Sequence, residues 1–342
     1  MNLLQKSILS TIVYYDTLDY PLTSFEVFKY LVNPLHVASF YKPQSIEVDK
    51  FSKIPLVNIR KNLNSREMKK FIDEKNGFYF LKNRAEVMRT RIDRQKIADQ
   101  KWKKAKKIIR WLQIVPYLRM VAVSGSLALN NTQEESDIDV LVIVRAGRIW
   151  LARFFVTVFL QLIGKRRHKK FTKDRICLNH YITNKSLEIK FRSLYNAQTY
   201  AHMIPVLEVE NGIYNKFQKA NKWIKDYIVF WPASPTGGPE VEVKHFKTLV
   251  ASSSLISIAR TGEIFLNNWF GDLLEKLSRK LQKSSIEKDP LTHKKGGRIT
   301  TDDTQLEFHP ESPERKTLDK YNKNMLCLGV RELSHEKDSG LL

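Results

Sequence analysis

Residues Val121–Val144 read VAVSGSLALNNTQEESDIDVLVIV. Two apolar runs with strand character flank a polar loop. The first ends in Gly125-Ser126, and the second opens with Asp137-Ile138-Asp139. In a strand, residues i and i+2 share a face. Asp137 and Asp139 therefore point together, with Leu141 and Ile143 continuing that face into a core. Ile138, Val140, Val142 and Val144 take the other face. Two carboxylates side by side at the mouth of a strand repel each other and raise one another's pKa unless a cation lies between them. Oxygen ligands at this spacing suit a hard divalent ion such as Mg²⁺.

Upstream, Gly125 allows the backbone to approach a ligand closely. A helix opening at Ser126 would aim free N–H groups and a hydroxyl at an anion such as a phosphate. Ten residues separate Ser126 from Asp137, so a short helix and a turn can bring the loop back beside the acids. The expected product is a phosphate cradle next to a metal site.

A strand, Gly-Ser, a spacer of about this length and Asp-x-Asp opening a second strand resemble the polymerase beta-like nucleotidyltransferase superfamily. The resemblance is carried by Gly125, Ser126, Asp137 and Asp139. It implies that Asp137 and Asp139 bind metal (Mg²⁺ or Mn²⁺), while Gly125 and Ser126 hold the β- and γ-phosphates of a nucleotide, ATP included. The implied reaction is in-line transfer of a nucleoside monophosphate from an NTP to a hydroxyl, with loss of pyrophosphate. The family usually has a third carboxylate on a neighbouring strand. Here ICLNHYI, residues 176–182, contains no acid. Asn179 stands as the occupant of that position, and Glu188 in LEIKF, residues 187–191, is the nearest acid expected on a strand.

The rest of the chain reads outward from this centre. Near the N-terminus, residues 3–16 have apolar residues at helical spacing. Thr23 and Glu26 have the spacing of a capping box for a second helix. Asn64 and Glu67 predict a third helix over Ser65–Glu74, and NGFYFL, residues 76–81, a turn into a strand. Three helices and a β-wing resemble a winged helix-turn-helix domain over residues 1–82, with the third helix as the one that would read DNA. Residues 83–115 predict one long basic helix, bridging through solvent early and packing late. Residues 116–232 are expected to make the nucleotidyltransferase domain that the resemblance implies. WPASPTGGPE, from Trp231, reads as a linker. Residues 241–342 are expected to be a helical region with a polar, partly flexible tail from Ser284. Trp223, Trp231 and Trp269 are expected in the core. The fold class is therefore α+β (an α/β mix), with a small mixed sheet flanked by helices.

The 342 residues carry 58 Lys/Arg against 36 Asp/Glu, a formal net charge of +22. Lys82–Arg110 holds twelve basic residues against three acidic, and Lys165–Arg175 seven against one. Such concentration favours an anionic partner. Two cysteines and no CxxC argue against a disulfide scaffold or a zinc site and fit a reducing cytoplasm. No signal-peptide pattern opens the chain. IWLARFFVTVFLQLIG, residues 149–164, includes Arg153 and is too short to span a bilayer. It is expected as a buried helix, with membrane contact through residues 149–170 as the alternative.

The reading is a Mg²⁺-dependent nucleotidyltransferase whose acceptor (RNA, a small molecule or a protein) the sequence leaves open. The rival is a regulator that binds DNA or senses nucleotides through a degenerate nucleotidyltransferase fold.

Overall fold

The computed structural model describes residues 1–40, 54–168, 171–231, 248–293, 297–310 and 312–339. The N-terminal part contains α1 (Leu3–Asp16), β1 (Leu22–Thr23), α2 (Ser24–Lys29), α3 (Pro34–Ser39), α4 (Leu56–Leu63), β2 (Ile72–Lys75) and β3 (Phe78–Leu81). The capping box at Thr23 forms, with Glu26 and Thr23 bonding each other's backbone N–H. The helix expected over residues 65–74 does not. Residues 68–70 make a single tight turn, and Ile72–Lys75 pair with Leu81–Phe78 as a hairpin. Asn76 and Gly77 both take positive φ, the geometry a two-residue hairpin turn requires. That turn commits the residues on both sides to strands, which overrides the helical capping signal. The helix lies earlier, at α4.

Next come α5 (Val87–Trp111), β4 (Leu118–Val123), α6 (Gly125–Ala128), β5 (Ile138–Val144), α7 (Ile149–Leu162), β6 (Ile176–Thr183), α8 (Leu194–Ala201), β7 (Ile204–Glu208), α9 (Ile213–Ala220) and α10 (Ile224–Tyr227). The chain closes with α11 (Ser253–Phe265), α12 (Trp269–Glu287), β8 (Arg298–Thr301), β9 (Gln305–His309) and α13 (Pro313–Cys327). The central sheet has the order β7-β4-β5-β6-β9-β8 among the described residues. Only β5 and β6 pair in parallel within it; the other neighbours are antiparallel.

The alternation of β5 sets the two layers around this sheet. Ile138, Val140, Val142 and Val144 pack with α5 and α7. Leu141 and Ile143 pack with α8, α9 and α10. Every one of these side chains is almost fully buried, and each contributes roughly 1.5–3 kcal/mol relative to exposure.

Three expectations need correction. The early half of α5 does not cross open solvent. Arg84 binds Asp19 at 2.6 Å, Arg91 clamps Glu26, and Arg94 reaches the Leu18 carbonyl, so the helix is tied to the N-terminal part. The C-terminal third is neither wholly helical nor a loose tail. β9 and β8 extend the central sheet, and α13 packs on α1, where Ser10 and Tyr321 share a 2.7 Å hydrogen bond. Trp223 and Trp231 are buried, whereas Trp269 is exposed. Beyond Trp231 the stretch read as a linker lies outside the described residues.

The N-terminal part docks on the central part through α8. Tyr15 donates to Gln198 at 2.7 Å and also contacts His202, which stacks near Tyr30. Burial, then the Lys29 charge, lowers the His202 pKa from 6.5 to about 3. His180 is lowered to about 3 by burial and Arg298, and His309 to about 4, chiefly by burial. Their folded pKa values lie below the unfolded value, so the unfolded chain binds more protons in the interval between. The stability they confer is full above about pH 6.5 and is lost as pH falls towards 4, at about 1.4 kcal/mol per unit for each group. Urea midpoints are expected to drop between about pH 7 and about pH 5. His202→Gln should flatten that slope; an unchanged slope would contradict the assignment.

Candidate active site

The register of β4 against β5 places the elements of the quoted motif side by side. Val123 pairs with Val140, and the Ser124 N–H donates to the Asp139 carbonyl at 3.0 Å. Gly125 follows at φ +63°, opening α6 directly against the acids. A Cβ at position 125 would lie 2.7 Å from Asp139 Oδ2. Glycine is therefore required twice over, by the left-handed backbone and by the carboxylate against it. Ser126 is partly exposed in the first turn of α6, where backbone N–H groups have no partner within the helix.

The parallel pair β5–β6 supplies the other wall. Asp139 stands opposite Cys177. Asp137, Asp139 and Cys177 each offer a ligand atom, and these atoms lie within 4.8 Å of one another. Asn179 donates its side-chain amide to Asp139 Oδ1 at 3.4 Å. A register shift in β6 after Cys177 brings this residue alongside. Arg167 closes the cluster, with Nη1 at 2.9 Å from Asp137 Oδ2 and 3.1 Å from Cys177 Sγ. Its backbone is fixed there because its N–H donates to the Ile176 carbonyl at 3.0 Å.

The electrostatics follow from this crowding. Burial and the neighbouring Asp137 carboxylate push Asp139 up to about 7, against the opposing pull of Arg167. Burial, then the two carboxylates, push the Cys177 thiol well above its usual range. A pair so placed is short of positive charge, and a divalent cation meets that need. The two carboxylates fit a hard ion; the thiol is a softer donor.

The expected residues divide accordingly. Gly125, Ser126, Asp137 and Asp139 come together. Glu188 does not join them: its side chain is half exposed and pairs with Arg192 at 2.6 Å. Residues 187–191 form no strand. Leu187 and Ile189 are buried, as their alternation predicts, but the Asn221 side chain takes the place of a partner strand. It accepts from the Ile189 N–H at 2.8 Å and donates to the Leu187 carbonyl at 2.9 Å.

Sequence reasoning missed three contributors. Cys177 carried a signal, since it lies on the strand read from 176 to 182 and opens it beside the acids. Arg167 was noticed only as one of a basic run; of its companions, Lys169 and Lys170 lie outside the described residues. Lys101 gave no signal. It is 2% exposed, and its ammonium donates to the carbonyls of Glu134 and Ser136 at 2.8 and 2.7 Å and to Asp174 at 3.0 Å. One residue of α5 thus pins both the loop that delivers Asp137 and the turn that leads into β6. Trp102 and Arg94 hold the same loop through Asn130 and Asn131.

Residues 102–227 match the family model described as a nucleotidyltransferase domain. The match begins at the packed half of α5 and ends with α10, so it contains the whole cluster. The winged-helix resemblance of residues 1–82 has no such match. No curated protein and no solved structure matches the chain.

Gly125→Ala is expected to weaken nucleotide binding at least tenfold by calorimetry. Gly147→Ala is the control: it has the same sign of φ, at +77°, but open space at its Cβ. Equal effects at the two positions would show that backbone strain, not the approach to Asp139, is what matters.

Proposed function

We propose that the protein is a divalent-metal-dependent nucleotidyltransferase that moves a nucleoside monophosphate from an NTP to a hydroxyl acceptor and releases pyrophosphate. The observation that carries this reading is the packing of Gly125 against Asp139, whose carboxylate clusters with that of Asp137, inside the matched domain. Asp137 and Asp139 would hold the ion, Mg²⁺ or Mn²⁺. When bound, such an ion offsets phosphate charge and acidifies the attacking hydroxyl.

The remaining work falls to the chain itself. The first-turn amides and the hydroxyl at Gly125–Ser126 receive phosphate oxygens of the NTP. Asn179 restrains rotation of the Asp139 carboxylate through its amide. Arg167, nearly half exposed at its side chain, is a cation within reach of an incoming phosphate. Glu188 is not part of this proposal. Among the described residues the cluster contains no third carboxylate. The acceptor's proton would therefore leave to the acid pair or to solvent, with no dedicated base.

The test is transfer of α-labelled NTPs, each base separately, to total RNA, a small-molecule extract and a protein lysate. Label should appear in one acceptor fraction with the native protein. It should fall at least a hundredfold with Asp137→Asn/Asp139→Asn, a pair that keeps the side-chain shapes. Equal labelling by the two proteins would overturn the reading.

A second reading concerns residues 1–82, and it rests on their arrangement. Helices α1, α2 and α4 precede the β2–β3 hairpin. Arg60 and Lys61 on α4, and Lys75 on the hairpin, are exposed. We propose that this part contacts duplex DNA, with α4 rather than residues 65–74 as the reading helix. Affinity should then fall steeply with salt, and Lys61→Ala should lower the slope of log K against log salt by about one. Salt-independent binding, or none at low salt, would remove the DNA from this proposal.

A further inference from the structure

Arg167 is held in place by backbone pairing on its own segment. Residues 165–167 lie along the start of β6. The Ile176 N–H donates to the Lys165 carbonyl at 2.8 Å, the Arg167 N–H donates to the Ile176 carbonyl at 3.0 Å, and Arg166 and Ile176 form a parallel bridge. The Arg175 side chain adds a bond to the Arg166 carbonyl at 3.2 Å. The Arg175 carbonyl in turn accepts from the N–H of Ile138, the residue between the two acids, at 2.8 Å. One short stretch of backbone thus fixes Arg167 and the acid strand relative to each other. The guanidinium that results is a permanent charge, since arginine does not lose its proton in proteins.

The oxygens of the acid pair are already partly engaged. Arg167 Nη1 lies 2.9 Å from Asp137 Oδ2 and 3.1 Å from Cys177 Sγ. On Asp139, the Asn179 amide donates to Oδ1 at 3.4 Å, and the Cys177 thiol is bonded to the same carboxylate. A hard ion such as Mg²⁺ takes one or two carboxylates together with waters and substrate phosphates, and the pair can still meet that demand. A second ion, about 3.5–4 Å from the first as in two-ion transfer sites, needs ligands of its own. Among the described residues the cluster offers it no third carboxylate. What surrounds the pair is a thiol, which is a soft donor, an amide turned to donate, and a guanidinium, which repels a cation.

We infer that the acid pair takes a single divalent ion and that Arg167 is the second cation of the site, supplied by the chain itself. The inference rests on the nucleotidyl-transfer reading above and names how its phosphate charge is met. Nη1 is committed to the cluster, but the Arg167 side chain is nearly half exposed, so the rest of its planar fork can donate to a phosphate oxygen of the NTP. The arrangement has a cost and a gain. Arg167 occupies one oxygen of Asp137 and weakens the hold on the ion. In return the site keeps a fixed positive donor that needs no ion to be recruited.

The test counts Mn²⁺ on the full chain. The native protein is titrated with Mn²⁺ in the presence of the α,β-methylene analogue of each NTP, whose α–β bridge resists transfer, and bound ions are followed by electron paramagnetic resonance. A single ion per chain is expected, with the spectrum of an isolated Mn²⁺ and not that of a coupled pair. Arg167→Ala should tighten Mn²⁺ by about fivefold or more, because a repelling neighbour is gone. The same variant should weaken the analogue, at saturating Mn²⁺, by about tenfold or more. A residue that merely held Asp137 in place would weaken Mn²⁺ on removal, so the opposite signs separate the two roles. Unchanged circular dichroism and melting temperature would verify that the variant folds, and the count on the native chain does not depend on it. Two coupled ions on the native chain overturn the inference and leave the transfer reading standing. So does an Arg167→Ala variant that binds Mn²⁺ more weakly, or the analogue as tightly as before. No bound Mn²⁺, or Mn²⁺ whose binding survives Asp137→Asn/Asp139→Asn, overturns both.

Discussion

The contact on which the site depends is that between the Gly125 backbone and the Asp139 carboxylate. It follows from the pairing of β4 and β5 with Val123 opposite Val140, which sets Ser124 against the Asp139 backbone, and from the positive φ of Gly125, which turns the next residue in against the carboxylate. A side chain at position 125 would have nowhere to go. The intervening loop, from Leu129 to Asp137, is long enough to wander and must be held. Buried Lys101 holds it from α5, together with Trp102 and Arg94. A buried ammonium is costly unless its donors are satisfied. Here all three go to the loop and to Asp174, so the residue that pays for burial is also the one that fixes the approach of Asp137.

This changes the meaning of the basic charge. In the sequence, Lys82–Arg110 looks like a surface for an anionic partner. In the structure, Arg84, Arg91, Arg94 and Lys101 face inward and bind acids and carbonyls of other segments. Helix α5 is a brace between the N-terminal part and the acid loop. The positive charge left for partners is smaller than the count suggests, and part of it lies on the exposed side of α5 and around α12.

What the sequence disclosed and what it concealed divide by the range of the interaction. Strand alternation in β5 is local, and the two layers followed from it. Gly-Ser and Asp-x-Asp are also local, and their meeting needed only one strand pairing. Residues 187–191 show the limit of alternation: it reports which side chains are buried, not whether a strand lies alongside. Asn221 supplies the hydrogen bonds a strand would have supplied, and no spacing rule connects the two segments. Residues 65–74 failed for a different reason. The Asn64–Glu67 signal competes with the Asn76-Gly77 turn, and the turn gains a paired strand while the cap gains only a helix end. Lys101, Arg167 and Cys177 meet their partners across tens of residues, so the sequence showed them only as a lysine in a basic run, an arginine in another and one of two cysteines.

The same logic explains why the C-terminal third cannot be read as an appendage. Without β9, strand β6 would be an open edge beside the acid cluster, with its backbone groups unpaired. Residues 305–307 cover that edge, opposite Ile182, Tyr181 and His180. Covering it brings Glu307 into the interior, where an isolated carboxylate would be untenable. Arg298 answers it from the adjacent strand, with Nη2 at 2.6 Å from Glu307 and Nη1 at 2.6 Å from Glu314 of α13. Glu314 is held in turn by the Ser339 backbone at 3.0 Å, while α13 packs on α1. Closing the flank of the site thus requires a chain of buried charges that ends in the N-terminal core. The cluster at Asp137 and the helices at the start of the chain are parts of one continuous packing problem.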